Sequence, residues 1–504
     1  MPVFAAIDIG ANSVRLKIAR QQGRKFRVLH EDREVTRLGS DVFESHRLAP
    51  EAIARTIKVL RRFHKETQRL HVDAVRVLAT SPLREARNAA ELVNWARLAT
   101  GWRIETISGL EEGRLIHRGV LAHHRFHARQ LLLVDLGGGS CEITLSRKGR
   151  IQHLFTLPLG AVRLTEAFLA HDPPRTAELK RLREVINGEL DRLAPLRRAG
   201  PRFMVATSGT AAALAAATGA RRGWVERDEV ARLAKVLARQ SARQRARWQG
   251  IGMRRCQIIV AGAAVFTALL ERGNLSGFFY SPCGLRDGVL AEMAASQAGA
   301  STARQRLGHD REAAVLALAR HYAVDLRHAR RIQNWAFKLF DLLRRYHGLP
   351  AAYREWLGAA ALLHEVGGYI NSSGRWRHAH YIIANSEILG FRPEERQILA
   401  LLSRCLGSYQ PLPHDRALRP LGAAAQMLPR ALVLLRLARG LEQSRRGAVT
   451  AIRIRRRPSS AALRLTLSAG RRGAALEQWA LEKECGYFRA VFGRALTLAM
   501  AEQD

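Results

Sequence analysis

At 504 residues the chain is long enough for three or four domains, and its 47% apolar and 25% charged content is that of a globular protein, not a disordered one. The 82 basic residues outnumber the 44 acidic ones, and the formal net charge of +38 points either to a polyanionic partner (nucleic acid, an anionic membrane surface, a polyphosphorylated substrate) or to an arginine-rich composition with solvated faces. Five widely spaced cysteines without a C-x-x-C argue against a disulfide scaffold or a cysteine zinc site and fit a reducing compartment, and Asp8 inside the first apolar run is unlike a signal peptide.

The first predicted elements form a hairpin. AAIDIGANSVRLKIAR (5–20) reads as an apolar strand, a D-x-G-x-x-S tip carrying Asp8, Gly10, Asn12 and Ser13, and a second apolar strand. A strand over 72–78 follows, then ATSPLREARN (79–88), in which Thr80-Ser81-Pro82 starts a helix with Arg84 in its first turn. A guanidinium there can hold a phosphate bidentately beside a helix N-terminus, although an ordinary surface arginine gives the same pattern. In ISGLEEGRLIHRGVLAHH (107–124), Ser108-Gly109 starts a helix with an apolar stripe through Leu115, Ile116, Gly119 and Val120. Successive helix residues point about 100° apart, so Glu112 falls on that stripe and Glu111 toward its edge. An inward carboxylate is either paired, with Arg84, Arg114 or Arg118 as candidates, or serves as a general base for water.

The hairpin then recurs. LLVDLGGGSCEITLSR (132–147) aligns with 5–20 at an offset of 127 residues, matching Asp8 to Asp135, Gly10 to Gly137 and Ser13 to Ser140. Two such hairpins predict a duplicated domain with the loops facing each other across a cleft. Gly137, Gly138 and Gly139 let backbone N–H groups approach an anion, while Ser140, Ser13 and Asn12 add donors. An Asp beside phosphate implies a hard cation such as Mg²⁺ between them, and Asp135 and Glu142, at the entry and exit of one tip, can share it.

Further on, ATSGTAAAL (206–214), with Ser208, Gly209 and Thr210, and SPCGLRDGVL (281–290), with Arg286, each read as strand end, glycine turn and helix. Both could line the same cleft or be plain connections. The uncharged stretch 203–220 reads as a buried strand, a tight turn and a small-residue helix, not a membrane span. Residues 297–305 read as a linker, and Ala336, Leu339, Phe340 and Leu343 repeat at helical spacing. Residues 401–475 hold 15 arginines against two acids, the run IRIRRRP (452–458) alternates like an exposed edge strand, and six arginines lie within 239–255. A polymeric anion would follow such a track with salt-sensitive binding.

Taken in order, AIDIGANSVRL, ATSPLREARN, SGLEEGRLI, VDLGGGSCEI, ATSGTAAAL and GLRDGVL resemble the exopolyphosphatase/guanosine pentaphosphate phosphohydrolase (Ppx/GppA) family over residues 1 to about 295. The tail, through LLHEVGGYINSSGRWRHAHYII (362–383), a hairpin near 449–468 and LEQWALEKECGYFRAVFG (476–493), resembles the long members. The implied fold is α/β: two ribonuclease-H-like domains of the actin/sugar-kinase superfamily (1–125 and 126–298), an all-helical HD-like domain (299–425) and a small α+β module (426–504). By resemblance Asp135 and Glu142 hold Mg²⁺ or another divalent cation, and Glu112 is the catalytic base. Asp8, Arg84 and the loops Gly10–Ser13 and Gly137–Ser140 bind the terminal phosphate.

Cys141 stands where the family has Thr or a small polar residue, and Arg255-Cys256-Gln257 replaces its Arg-Ala-Asp. The HD-like region has His328 and His364, but Glu365 stands where a metal-binding HD domain has Asp, which argues against a second metal site there; His364 and Glu365 are expected to be structural or part of substrate passage. The expected activity is Mg²⁺-assisted release of terminal phosphate from inorganic polyphosphate; the alternative is 5′-phosphohydrolysis of pppGpp, the stringent-response nucleotide. A non-catalytic polyanion- or nucleic-acid-binding regulator is the rival of another class, and a sugar-kinase-like transferase is the weaker one. The resemblance further implies a homodimer, K⁺ as a candidate activator, no specific nucleic acid, and a cytoplasmic location with the inner membrane surface as a candidate peripheral site.

Overall fold

The structure is a computed structural model that describes residues 1–504 apart from 24, 125, 127–129, 194–199, 202, 298–300, 372, 414, 417, 419–421, 423, 457–461, 471–472 and 502–504. The chain divides into two units, Met1–Gln305 and Arg306–Asp504.

The first unit holds two sheets of matching design. Strands β1 (Val3–Ile9), β2 (Ser13–Gln22) and β3 (Lys25–Val35) form an antiparallel meander, and β4 (Ala74–Ala79) and β5 (Ile104–Thr106) extend it in parallel on the β1 side, giving the order β3-β2-β1-β4-β5. In the second sheet β6 (Gln130–Leu136), β7 (Cys141–Arg147) and β8 (Arg150–Leu157) repeat the meander. Strand β9 (Met204–Thr207) lies parallel to β6, and β11 (Gly277–Tyr280) lies parallel to β9 with the short β10 (Trp224–Glu226) antiparallel at its edge. This is the expected pair of ribonuclease-H-like halves. β1 and β6 sit mid-sheet and read as nearly unbroken apolar runs, whereas the edge strand β3, KFRVLHEDREV, is charged and half exposed.

The duplication persists in detail. Asp8 pairs with Arg15 across β1 and β2, and Asp135 pairs with Glu142 across β6 and β7. The register slips once in each meander, between Ile18 and Ala19 and between Leu145 and Ser146. Gly10 N donates to Ser13 O (3.2 Å), and Gly137 N donates to Ser140 O (2.9 Å). Strand β4 begins at Ala74, not at residue 72, because Asp73 turns to accept a hydrogen bond from Val3 N at 2.7 Å.

Each half has its own core, and a third apolar cluster is shared between them. It joins Phe4 and Ala6 of β1, Leu131 and Leu133 of β6, Leu115 and Val120 of the Gly109–His123 helix, and Val289 and Leu290 of the Leu285–Gln297 helix. The two helices meet glycine to backbone: a Cβ on Gly288 would lie 1.9 Å from Leu115 O, and one on Gly119 2.3 Å from Gly284 O. Gly288→Ala therefore forces the helices apart and is expected to cost about 1–3 kcal/mol, read as a lower denaturation midpoint at unchanged m-value; an unchanged midpoint would show that the contact yields freely.

The stretch 203–220 folds as β9 and the Ser208–Ala217 helix, and among the described residues no helix is long and apolar enough to cross a membrane. Residues 298–300 of the expected linker lie outside the described residues, and 301–305 open a helix, Ser301–His321. Small residues such as Ser301 and Ala303 suit a helix as well as a loop, which is why composition misled here.

The second unit is built on one continuous core. Its helices include Leu326–Leu342, which buries Ala336, Leu339 and Phe340 as their spacing predicts, together with Ala352–Leu363, Arg375–Asn385, Pro393–Arg404, Ala424–Gly440 and Ala475–Phe492. Strands β12 (Val449–Arg456), β13 (Leu463–Ala469) and β14 (Leu496–Met500) form a small sheet, antiparallel then parallel. Arg457 and Pro458 of the basic run lie outside the described residues, while Arg453 and Arg455 are exposed on β12. Glu442, fully buried, is held by Arg331 Nε (2.7 Å) and Gly447 N (3.1 Å), and Glu365 pairs with Arg445.

Candidate active site

The two glycine turns meet at the carboxyl ends of β1 and β6. A Cβ on Gly138 would lie 2.7 Å from Ala11 Cβ, so one loop is seated directly on the other. The second loop is held from behind: Ala161 N donates to Gly137 O (3.0 Å) and Val162 N to Gly138 O (2.8 Å), so the Ala161–Phe168 helix uses its free N–H groups to fix the turn. Between the loops is a small cavity of about 70 Å³, lined by Gly10, Asn12, Ser13, Gly137, Gly138 and Ser140 and floored by Asp8, Asp135 and Glu112. Asn12 Nδ2 is buried there without a hydrogen-bond partner. Gly139 does not line it; Ser81 and the Phe43 ring crowd that position, where a Cβ would lie 2.2 Å from Ser81 Oγ.

Glu112 and Asp135 on this cavity are joined by Glu142: one oxygen each from the three carboxylates lie within 4.8 Å of one another. Glu112 comes from the first turn of the Gly109–His123 helix, which starts where Ser108 Oγ accepts from Glu111 N at 3.1 Å. Its Oε2 accepts from Arg84 Nη1 at 3.0 Å, and Arg84 Nη1 also donates to Ile107 O at 2.9 Å. Arg84 thus sits beside the acids on the Ser81–Glu85 helix and pairs with Glu112. Glu111 faces away and pairs with Arg114 (2.6 Å).

All three carboxyls are hard to ionise together. Burial raises Glu112, against the pull of Arg84. Burial and the Glu112 charge push Asp135 up to about 7. Burial and Glu112 raise Glu142 well above the carboxylate range, against the pull of Arg84 and the nearby Ser140 hydroxyl, and neither of its oxygens has a partner in good hydrogen-bond geometry among the described residues. A buried carboxylate with both oxygens orphaned, next to two more, is a donor set for a hard divalent cation. The residues present therefore fit Mg²⁺.

Beyond the trio the lining is mixed, with cations in excess of Glu31, Asp32 and Asp287. A larger cavity of about 580 Å³ opens beside the acids and is lined by Arg15, Arg33, Arg254, Arg286 and Lys17, with Thr207, Ser208 and Gly209 on its floor. Arg255, buried, lies over Gly209, where any side chain would collide with its guanidinium. Burial, with the charges of Arg33 and Arg15, pulls Arg255 well below its ordinary range, and burial with Arg15 lowers Arg33 to about 10. Arg33 Nε and Nη2 are buried without partners. Arg286 Nη1 donates to Leu16 O at 2.7 Å. Ser208 holds a left-handed φ of 88° at the start of its helix, a strained conformation kept at the cavity floor. Thr210 turns into the core instead, where a Cβ on Gly262 would lie 2.5 Å from Thr210 Cγ2.

The motifs did not single out Arg15, Arg33, Arg255, Lys17 or Tyr280 as cleft residues. For Arg15 the signal was present: it stands 127 residues before Glu142, the same offset as Asp8 from Asp135. Arg33 and Arg255 carry no such mark, because the edge strand and a distant short helix, Gly252–Arg255, bring them in only on folding.

Two ribonuclease-H-like halves closing paired glycine turns over a carboxylate trio, with arginines nearby, define a duplicated α/β scaffold with a cleft of converging acids and guanidinium groups. The chain belongs to the Ppx/GppA phosphatase family: that family's model matches residues 17–297, and the model of its domain III matches residues 311–485. The structure of the Aquifex aeolicus PPX-GPPA enzyme is similar at 30% identity and a TM-score of 0.50, covering 58% of this chain and 99% of that one. An exopolyphosphatase-like protein matches at 26% identity and a TM-score of 0.55, covering 58% and 97%. An exopolyphosphatase from Cytophaga hutchinsonii, at 24% identity and a TM-score of 0.54, covers 58% and 97% and shares the fold.

Proposed function

We propose that this phosphatase releases terminal phosphate from inorganic polyphosphate. The observation that carries the reading is the juxtaposition of orphaned acids and unpartnered arginines: Glu142 without hydrogen bonds on one side of the cleft, Arg33 without them on the other. Arg84 and Asp8 act on these groups only through space, and a phosphate chain with its divalent cation would supply direct partners to both.

In this reading the chain end enters between the two glycine turns, whose N–H groups face its oxygens. Glu112 has Oε2 held by Arg84 and takes a proton from water through Oε1. The water oxygen bonds to the terminal phosphorus, the bridging P–O bond breaks, and the shortened chain leaves with the electron pair. Arg15, Arg33 and Arg255 face the charge that builds on the leaving oxygen. Asp135 and Glu142 would hold the divalent cation, which supplies neutralisation of the phosphate oxygens.

The test is phosphate release from long-chain polyphosphate and, separately, from pppGpp, each with Mg²⁺. Release from neither overturns the reading. A second reading, pppGpp 5′-phosphohydrolysis, is favoured by Glu31, Asp32 and Asp287 on the same 580 Å³ cavity, acids that suit the amino edge of a base better than a continuing polyanion. A higher kcat/KM for pppGpp would put it first. Arg15→Gln is expected to raise KM for polyphosphate about ten- to a hundredfold, the worth of one charged hydrogen bond, with a smaller fall in kcat; an unchanged KM would remove Arg15 from substrate contact.

A further inference from the structure

A second set of ligating side chains lies beside the larger cavity, which only Asp287 of the set lines, and the phosphate-release steps make no use of it. His123 ends the Gly109–His123 helix, Cys283 lies in the turn after β11, and Asp287 lies in the first turn of the Leu285–Gln297 helix. One donor atom from each lies within 4.8 Å of the others. We propose that His123, Cys283 and Asp287 form a site for a borderline transition-metal ion of the Zn²⁺ class, separate from the carboxylate site.

The donors differ in kind from the trio in the cleft. Three carboxylates suit Mg²⁺; one imidazole, one thiol and one carboxylate suit Zn²⁺ or Co²⁺ and serve Mg²⁺ poorly. The surroundings hold each ligand in place. His123 Nδ1 lies 3.0 Å from Gly119 O, which can only accept, so the proton sits on Nδ1 and the Nε2 lone pair is left free, with Nε2 4.0 Å from Asp287 Oδ1. Such a second bond orients most metal-binding histidines. The Cys283 turn is fixed at several points: Ser281 N donates to Ala206 O (2.9 Å), Cys283 N to Ser281 Oγ (3.2 Å), and Thr207 Oγ1 to Cys283 O (2.8 Å). Asp287 Oδ2 accepts from Gly284 N at 2.9 Å. His123 is exposed while the other two are buried, which leaves a path for an ion and room for a water as fourth ligand.

Lys17 Nζ is the competitor, 2.7 Å from Asp287 Oδ1, but it also lies 3.1 Å from Glu31 Oε1. Glu31 can keep the ammonium when an ion takes Asp287. Binding forms a metal–sulfur bond, and the thiol proton goes to solvent.

Co²⁺ titration of the full-length protein tests the site without reference to phosphate release. One equivalent should give an intense near-ultraviolet thiolate-to-cobalt band and visible bands of tetrahedral strength, and Zn²⁺ should displace both. Co²⁺ in the carboxylate cleft gives neither. The thiolate band should vanish in Cys283→Ser and persist in Cys485→Ser, and His123→Ala, on an exposed residue that leaves the fold intact, should weaken Co²⁺ binding at least tenfold. Absence of the band in the wild type, its survival in Cys283→Ser, or unchanged affinity in His123→Ala would each overturn the proposal.

Discussion

Replacing Glu112 by Gln should lower kcat for phosphate release by about 10²–10⁴-fold, the usual worth of a general base, with little change in KM. The substitution is nearly isosteric, so it keeps the Oε2 acceptor for Arg84 (3.0 Å) and removes only the capacity to take a proton. Since burial raises Glu112 above its ordinary value, the wild-type kcat/KM should fall on the acid side through a pKa above the ordinary carboxylate range. Steady-state rates against pH for both proteins check this. A Gln variant within a few-fold of wild type would transfer the base role elsewhere, with Asp135 as the next candidate.

Glu142→Gln should separate activity from stability. It removes one of the three converging carboxylates, so divalent-cation dependence should weaken and phosphate release should fall about 10–100-fold or more, as for lost metal ligation. The metal-free variant should nevertheless be more stable than metal-free wild type, because a buried carboxylate without hydrogen bonds has gone.

Proton linkage sets the sign of the pH dependence. Asp135 titrates at about 7 in the folded protein against an ordinary value of 3.8, so the folded state binds more protons over that interval and loses stability as pH rises through it. Glu142, also raised, acts in the same direction. A tenfold change in proton affinity is worth about 1.4 kcal/mol, so a slope of that order per pH unit belongs to Asp135 alone. Asp135 is present in both proteins, so the gap between them belongs to Glu142: without divalent cation, wild-type Tm should drop relative to Glu142→Gln as pH rises above the ordinary carboxylate value of 4.5; with Mg²⁺ the gap should close or reverse. A gap independent of both pH and Mg²⁺ would mean the trio binds no cation.

The repeat is legible in the sequence because D-x-G-x-x-S is short, local and copied. Alignment of the two copies is enough to place Asp8 and Asp135 at strand ends and the loops opposite each other. Glu112 was legible for a different reason: a charge on an apolar helical stripe marks itself. Motif membership did less well at Gly139 and Thr210. Both sit inside the right string, yet one faces Ser81 and Phe43 and the other Gly262, because alternation along a turn decides which residue meets the cavity. The Leu285–Gln297 helix was visible as a helix, but its place in a core shared by β1 and β6 depends on contacts about 150–290 residues apart along the chain. Arginine counting found the excess of charge and not its address: Arg33 and Arg255 reach the cleft only through tertiary structure.

The cross-strand pairs Asp8–Arg15 and Asp135–Glu142 occupy the same place in the two halves, yet one couples an acid to a base and the other an acid to an acid. A polyphosphate chain has no head or tail, but its terminal residues carry an extra oxygen charge that interior residues lack. The duplicated cleft thus has two unlike poles, and on the proposed reading the acid pole would take phosphate with a cation and the guanidinium pole would take it directly. On the proposed reading, polarity in the protein supplies the orientation that the polymer lacks. The doubly charged end is drawn to the acid pole with its cation, the interior lies along the arginines, and cleavage is confined to ends without any feature that measures chain length.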